Sequence, residues 1–166
     1  MNAFFDAFET PVGAFSVATD ATGAVLATAL GDVDALRGRL DDFHVLREKR
    51  IAPDVREQVA AYFAGERKDF DLPLAAAGTP FQRRVWTALQ QIPFGVTRSY
   101  GDLARELRSS PRAIGRANAT NPICLIVPCH RVIGADGSLT GFAFGEKIKQ
   151  RLLDHERSAA AAARAA

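Results

Sequence analysis

SYGDLARELRSSPRAIGRANATNP, residues 99–122, carries two helix starts in close succession, and its reading organises the rest of the chain. Ser99 precedes Asp102 by three residues, and Ser110 stands directly before Pro111. A serine hydroxyl can accept from the backbone N–H groups that a helix start leaves unpaired. An acidic third residue can reach back, and proline suits the first helical position. The pattern predicts one helix through Leu107 and another to about Asn118, a helix-turn-helix in outline. On the second helix Arg112, Gly115, Arg116 and Ala119 share a face by their spacing, leaving Ala113, Ile114 and Ala117 to pack inward. Two cations around a residue without a side chain would let the helix backbone approach a phosphate-lined groove. The same pattern also describes an ordinary solvated basic face.

Working outward, Thr79-Pro80-Phe81-Gln82 is another capped start, with Phe81, Val85, Trp86 and Leu89 on one apolar face and Pro93 and Gly95 as the stop. After the helix pair comes the apolar run Ile123 to Val127, then Pro128-Cys129-His130-Arg131. A last helix carries Ile148, Leu152 and Leu153 and is expected to end near Glu156. Towards the N-terminus, the apolar stretches 13–18 and 24–29 flank Thr19-Asp20-Ala21-Thr22-Gly23, a β-hairpin pattern. A helix is expected from Pro53, with Val55, Val59, Tyr62 and Phe63 at helical spacing before Gly65. Leu72 to Gly78 reads as a linker. The nearly all-alanine stretch after Ser158 is expected to be frayed. The reading is an α/β N-terminal domain (a small β-sheet with helix, 1–78) and a mostly α-helical C-terminal domain with a winged-helix-like helix-turn-helix (79–158), followed by an Ala-rich tail (159–166).

The 166 residues are 48% hydrophobic and 24% charged, which describes a folded chain. A net charge of +2 is compatible with nucleic acid without requiring it. No apolar run is long enough for a spanning helix, and the N-terminus lacks a signal peptide's basic start, so no membrane role is expected. The only cysteines are Cys124 and Cys129, with no CxxC pair. That excludes a disulfide framework and a structural zinc site and points to a reducing cytoplasm. Cys124 sits in an apolar run and reads as packing. Cys129 stands beside His130, and a base or cation near a thiol raises the population of its nucleophilic thiolate. For the pair taken alone, a buried structural cysteine beside a satisfied histidine is the commoner case.

Taken together, these words say more. Ile126-Val127-Pro128-Cys129-His130-Arg131-Val132-Ile133 resembles the active-site signature of the O6-alkylguanine-DNA alkyltransferases, also called methylated-DNA–protein-cysteine methyltransferases. So do Thr79-Pro80-Phe81-Gln82 with Val85-Trp86, Ser99-Tyr100, Arg112-Ala113-Ile114-Gly115, Asn118-Ala119-Thr120-Asn121-Pro122 and Leu152-Leu153-Asp154-His155-Glu156. The resemblance implies a single-use repair transferase that moves the alkyl group of O6-alkylguanine in double-stranded DNA irreversibly onto Cys129. O4-alkylthymine is an open second substrate. His130 would be the base, acting through a water, and Glu156 would orient the imidazole. Asn121 would hold the turn that presents the cysteine. Tyr100 would donate to N3 of the guanine and crowd its 3′ phosphate, and Arg112 would fill the space of the flipped base. Gly115 and Arg116 would lie against the DNA, in the minor groove. The carbonyls of Cys129 and Val132 would accept from the guanine amine, with Phe142, Ala143 and Phe144 at the substrate pocket. A monomer without cofactor is implied. No metal is expected either, because this chain lacks the N-terminal cysteines with which some relatives bind one.

Two departures stand out. Many relatives have tyrosine at position 142 and glycine at 144, where this chain has Phe142 and Phe144. The bulk of Phe144 leads to the expectation that large O6 substituents such as benzyl are accepted poorly. Two other classes remain at this level: a lesion-binding module that does no chemistry, and a cysteine hydrolase that turns over small esters or amides.

Overall fold

The computed structural model describes residues 1–165. It divides into two compact units, Met1–Ala77 with Pro122–Ile126, and Gly78–Asn121 with Val127–Ala166.

The first unit is built on the hairpin. Strands β1 (Asn2–Thr10), β2 (Gly13–Thr19) and β3 (Val25–Ala29) are antiparallel neighbours, and β4 (Val45–Lys49) adds to β1 in parallel, giving the order β3-β2-β1-β4. Gly23 takes φ +90° in the turn before β3. The short helix α1 (Val33–Arg37) is capped by the Asp32 side chain, and α2 (Pro53–Phe63) starts on its proline. Buried Phe15, Val17, Val25, Ala27, Leu36, Val55, Val59 and Tyr62 form the core. The expected linker is instead pinned: Val25 and Leu74 form a parallel bridge, with Val25 N donating to Pro73 O at 2.7 Å and Ala75 N to Val25 O at 2.7 Å.

Residues 122–126 join this unit rather than the C-terminal domain expected from the sequence. Thr28 N donates to Pro122 O at 2.8 Å, and the Thr28 hydroxyl donates to Cys124 O at 2.8 Å. Cys124 is fully buried, with its sulfur 3.2 Å from that hydroxyl. It is packing, as its apolar sequence context suggests, but a threonine from a distant strand lies beside it.

The second unit holds α3 (Pro80–Gln90), β5 (Arg98–Ser99), α4 (Tyr100–Leu107), α5 (Pro111–Ala119), a 3-10 turn at Cys129–Arg131, β6 (Val132–Ile133) and α6 (Glu146–Ala165). Both capping boxes form: Thr79 with Gln82 and Ser99 with Asp102. α4 ends on Arg108 in the left-handed region, which turns the chain into α5. The Trp86 indole donates to Ala117 O at 2.8 Å, fixing α3 to the end of α5. α6 corrects the expectation of a helix ending near Glu156 with a frayed tail: it continues to Ala165. Alanine is the best helix former, and nothing after Glu156 is a glycine or proline, so the ladder has no reason to stop. Ala166 lies outside the described residues.

In the first unit, the carboxylate of Asp6 is 1% exposed. It accepts from Arg56 through two 2.6 Å bonds and from the backbone N–H groups of Ala7 and Ala52. Burial pushes its pKa up, but these donors more than offset that and hold it below 3.8. Asp6→Asn should therefore cost about 2–4 kcal/mol in urea unfolding at pH 7. A group with a depressed pKa stabilises above its unfolded value and loses that stabilisation as pH falls through the folded value. The gap between wild type and variant should be full above pH 3.8 and close below it.

Candidate active site

Cys129, His130 and Arg131 form one 3-10 turn rather than a strand. Successive side chains in such a turn fan out by about a third of a circle, so the three point in different directions. Pro128 leads into the turn, Arg131 N donates to Pro128 O at 3.0 Å, and Cys129 N to Val127 O at 2.8 Å. All three side chains are buried, and Cys129 is in no disulfide.

Two asparagines fix the turn from the end of α5. Asn121 Nδ2 donates to Val127 O at 2.9 Å, and Asn118 Nδ2 donates to Cys129 O at 3.2 Å. Since Val132 N–H also donates to Cys129 O, both lone pairs of that carbonyl are engaged. A guanine amine, which the resemblance implies as a further donor, would have to share that oxygen with them. Val132 O accepts one bond, from Lys149 Nζ at 2.5 Å, and a carbonyl can take a second.

His130 is fully buried, and its Nε2 lies 2.6 Å from Glu156 Oε2. A carboxylate can only accept, so Nε2 carries a hydrogen, and in the neutral imidazole Nδ1 presents the lone pair. Nδ1 is buried with no hydrogen-bond partner. Arg131 takes the same carboxylate through Nε to Oε1 at 2.7 Å and NH2 to Oε2 at 3.0 Å, while its NH1 donates to Ile92 O at 2.7 Å. Burial alone would raise the Glu156 pKa, but His130 and Arg131 together hold it well below the ordinary carboxylate range. Burial lowers the His130 pKa; Glu156 opposes that, and the Arg131 and Lys149 charges add to it.

Two residues that sequence reasoning left without a role thus belong to the site, Arg131 and Lys149. Lys149 is fully buried, and its Nζ lies 5.9 Å from the ring centres of both Tyr100 and Phe142. Burial brings its pKa down to about 8, against the pull of Cys129 and Glu146. A signal existed: Lys149, Leu152, Leu153 and Glu156 share one helical face, so two charges lie on the stripe that the leucines bury.

The remaining expected residues fall in two places. Tyr100, Phe142 and Phe144 lie near the turn. The Tyr100 hydroxyl donates to Thr140 O at 3.0 Å, and the rings of Phe142 and Phe144 are edge to face at 5.7 Å. Burial raises the Tyr100 pKa, Asn118 moderates that, and the Cys129 charge reinforces it. Ala143 is exposed. Arg112 and Arg116 are exposed on α5, and a Cβ at half-buried Gly115 would stand 3.9 Å from the Tyr100 ring. Among the described residues, no group of three or more His, Cys, Asp or Glu could hold a metal ion.

This geometry has clear relatives. A family profile described as the DNA-binding domain of 6-O-methylguanine DNA methyltransferase matches residues 80–158. A methylated-DNA–protein-cysteine methyltransferase of Methanosarcina acetivorans is 44% identical over 161 residues, covering 93% of this chain and 99% of the relative. One of Methanosarcina barkeri is 41% identical over 160 residues, covering 93% and 98%. The crystal structure of Mycobacterium tuberculosis OGT in complex with DNA superposes with a TM-score of 0.81 at 36% identity, covering 96% of this chain and 94% of that one. Likeness of this degree along almost the whole of both sequences is not confined to the cysteine motif, and this chain belongs to the methylated-DNA–protein-cysteine methyltransferase family.

Proposed function

We propose that the chain repairs alkylated DNA by direct reversal, moving the alkyl group of O6-alkylguanine onto Cys129 once per molecule. One observation carries the assignment of roles. A buried cysteine outside any disulfide opens a turn whose next residue, His130, has one nitrogen fixed on Glu156 and the other without a hydrogen-bond partner.

The proton of Cys129 passes to His130 Nδ1 through a water, and the imidazolium is balanced by Glu156. The sulfur attacks the alkyl carbon, the bond from that carbon to O6 breaks, and its electron pair stays on the base. The guanine leaves with a proton restored, helped by the Tyr100 hydroxyl, which turns its single hydrogen from Thr140 O to N3 of the base. The product thioether is a poor leaving group, so the protein is consumed. Lys149 supplies positive charge beside the developing thiolate. The Val132 carbonyl, with a lone pair to spare, accepts from the guanine amine. Asn121 holds the turn in place.

A base stacked in a duplex cannot reach a buried sulfur, so the nucleotide must be extruded. α5 is suited to lie along the minor groove, with Gly115 allowing close approach, Arg116 on phosphate, and Arg112 filling the gap left by the flipped base. The protein acts as a monomer without cofactor or metal, in a reducing cytoplasm where its thiols stay reduced. No described helix is long and apolar enough to cross a membrane. O4-alkylthymine is a second candidate substrate.

Intact-mass spectrometry after incubation with a duplex containing O6-methylguanine should show a single methyl increment, saturating at one equivalent and mapping to Cys129. Cys129→Ala should show none while still binding DNA. Turnover beyond one equivalent would point instead to a hydrolase-type cysteine, and lesion binding without any mass gain to a sensor.

Lys149→Met should slow transfer at pH 7 by about tenfold or more, the effect of a shift worth one pKa unit. Lys149 is charged below about pH 8 and neutral above it. The deficit in single-turnover rate should therefore be full below pH 8 and shrink above it.

Phe144→Gly should raise the rate with O6-benzylguanine by roughly tenfold or more, the scale on which a pocket discriminates by size. An unchanged benzyl rate would remove Phe144 from the substrate pocket.

A further inference from the structure

We infer that Arg131 is a positioning residue of the acceptor site: by sharing the Glu156 carboxylate with His130, it leaves the imidazole free to take the cysteine proton. The inference deepens the alkyl-transfer reading and rests on it for its kinetic arm.

The geometry is that of one carboxylate shared by two side chains, with the Gly95 N–H of the loop after α3 also donating to Oε1 at 3.5 Å. Glu156 Oε2 receives His130 Nε2 at 2.6 Å and Arg131 NH2 at 3.0 Å, and Oε1 receives Arg131 Nε at 2.7 Å. Arg131 is itself held by the Ile92 carbonyl at 2.7 Å, with its guanidinium carbon 5.8 Å from the centre of the Phe94 ring. The loop after α3 thus fixes the cation that faces the carboxylate. Gly95 in the same loop takes φ +81°, and a Cβ there would meet Ala160 Cβ of α6 at 2.9 Å, so the loop reaches the carboxylate's helix only as glycine.

A buried site tolerates separated charge only when it is balanced. With Arg131 present, Glu156 is already neutralised, and with Lys149 also buried nearby a proton on His130 would add positive charge that no remaining carboxylate balances. Without Arg131, the carboxylate would draw its counter-charge from the imidazole. His130 would then hold a proton before the reaction and could not accept one from Cys129. The charged groups that act on His130 are Arg131 from its own turn, with Glu156 and Lys149 from α6. Of these, only Arg131 and Glu156 are joined by two hydrogen bonds, which is why Arg131 sets the balance.

A purely structural role would tie α6 to the loop and affect all pH values alike. The test is imidazole NMR on the full-length protein, with His130 assigned through His130→Gln, together with single-turnover rates on duplex O6-methylguanine. In the wild type, His130 should be neutral at pH 7 with the hydrogen on Nε2. In Arg131→Met it should take up its proton at least about one pH unit higher. The rate deficit of that variant at pH 6.5 should exceed its deficit at pH 9 by about tenfold. Arg131→Lys, which keeps the charge without the paired geometry, should be slow but return the pH midpoint to that of the wild type. An imidazolium in the wild type at pH 7 would overturn the inference, even if Arg131→Met fails to fold. A rate loss equal at every pH, with the His130 titration unmoved, would overturn it as well. The spectrum reads the resting protein, so it stands apart from whether a methyl group reaches Cys129.

Discussion

A single carboxylate sealed away from water, that of Glu156, is the constraint to which the rest of the second unit answers. It is 1% exposed and accepts from His130 and twice from Arg131. A charge placed so would cost several kcal/mol if any partner were missing, so the elements that bring the partners must be held closely. The acceptor turn supplies His130 and Arg131, the loop after α3 buttresses Arg131, and α6 carries Glu156 and Lys149 on its buried stripe. The position of the sulfur follows from that arrangement, because Cys129 opens the turn whose other two residues are fixed on the carboxylate.

The DNA-facing side is tied to the same turn. α5 presents Arg112 and Arg116 to solvent, and its last turn sends Asn118 inward to the Cys129 carbonyl. Asn118 also bonds to Tyr100, and Tyr100 is anchored on Thr140 in the loop that carries Phe142 and Phe144. The helix proposed to lie on DNA, the ring proposed to assist the leaving base and the acceptor residue are therefore linked by a few hydrogen bonds. That chain of contacts relates the orientation of α5 to the position of the sulfur.

What could be read in the sequence was what local chemistry writes. The caps at Thr79, Ser99 and Ser110, the proline starts, the hairpin turn at Gly23 and the Cys129-His130 pair announce themselves within a few residues. β1, β4 and α1 did not, because a strand's partners are far away in sequence and a five-residue helix has little periodicity to show. The detour of residues 122–126 into the first unit was hidden for the same reason: its partner, Thr28, lies 96 residues from Cys124. Alanine repetition after Ser158 looked like low complexity, while as physics it is helix propensity, and α6 follows the physics. Arg131 and Lys149 were in plain view but unassigned, since only the fold tells a buried cation from a solvated one. The occupied Cys129 carbonyl was out of reach of any motif, because its donors come from α5 and from the turn's own closure.

The account stands on Glu156 acting through His130, and a double-mutant cycle measures that coupling most directly. Single-turnover transfer rates would be taken for His130→Gln, Glu156→Gln and the pair together. If the carboxylate works by fixing the imidazole, the double variant should be within about threefold of the slower single one, as for residues that act as a unit. Losses that multiply across the two sites would mean that Glu156 and His130 contribute independently, and the account would be wrong.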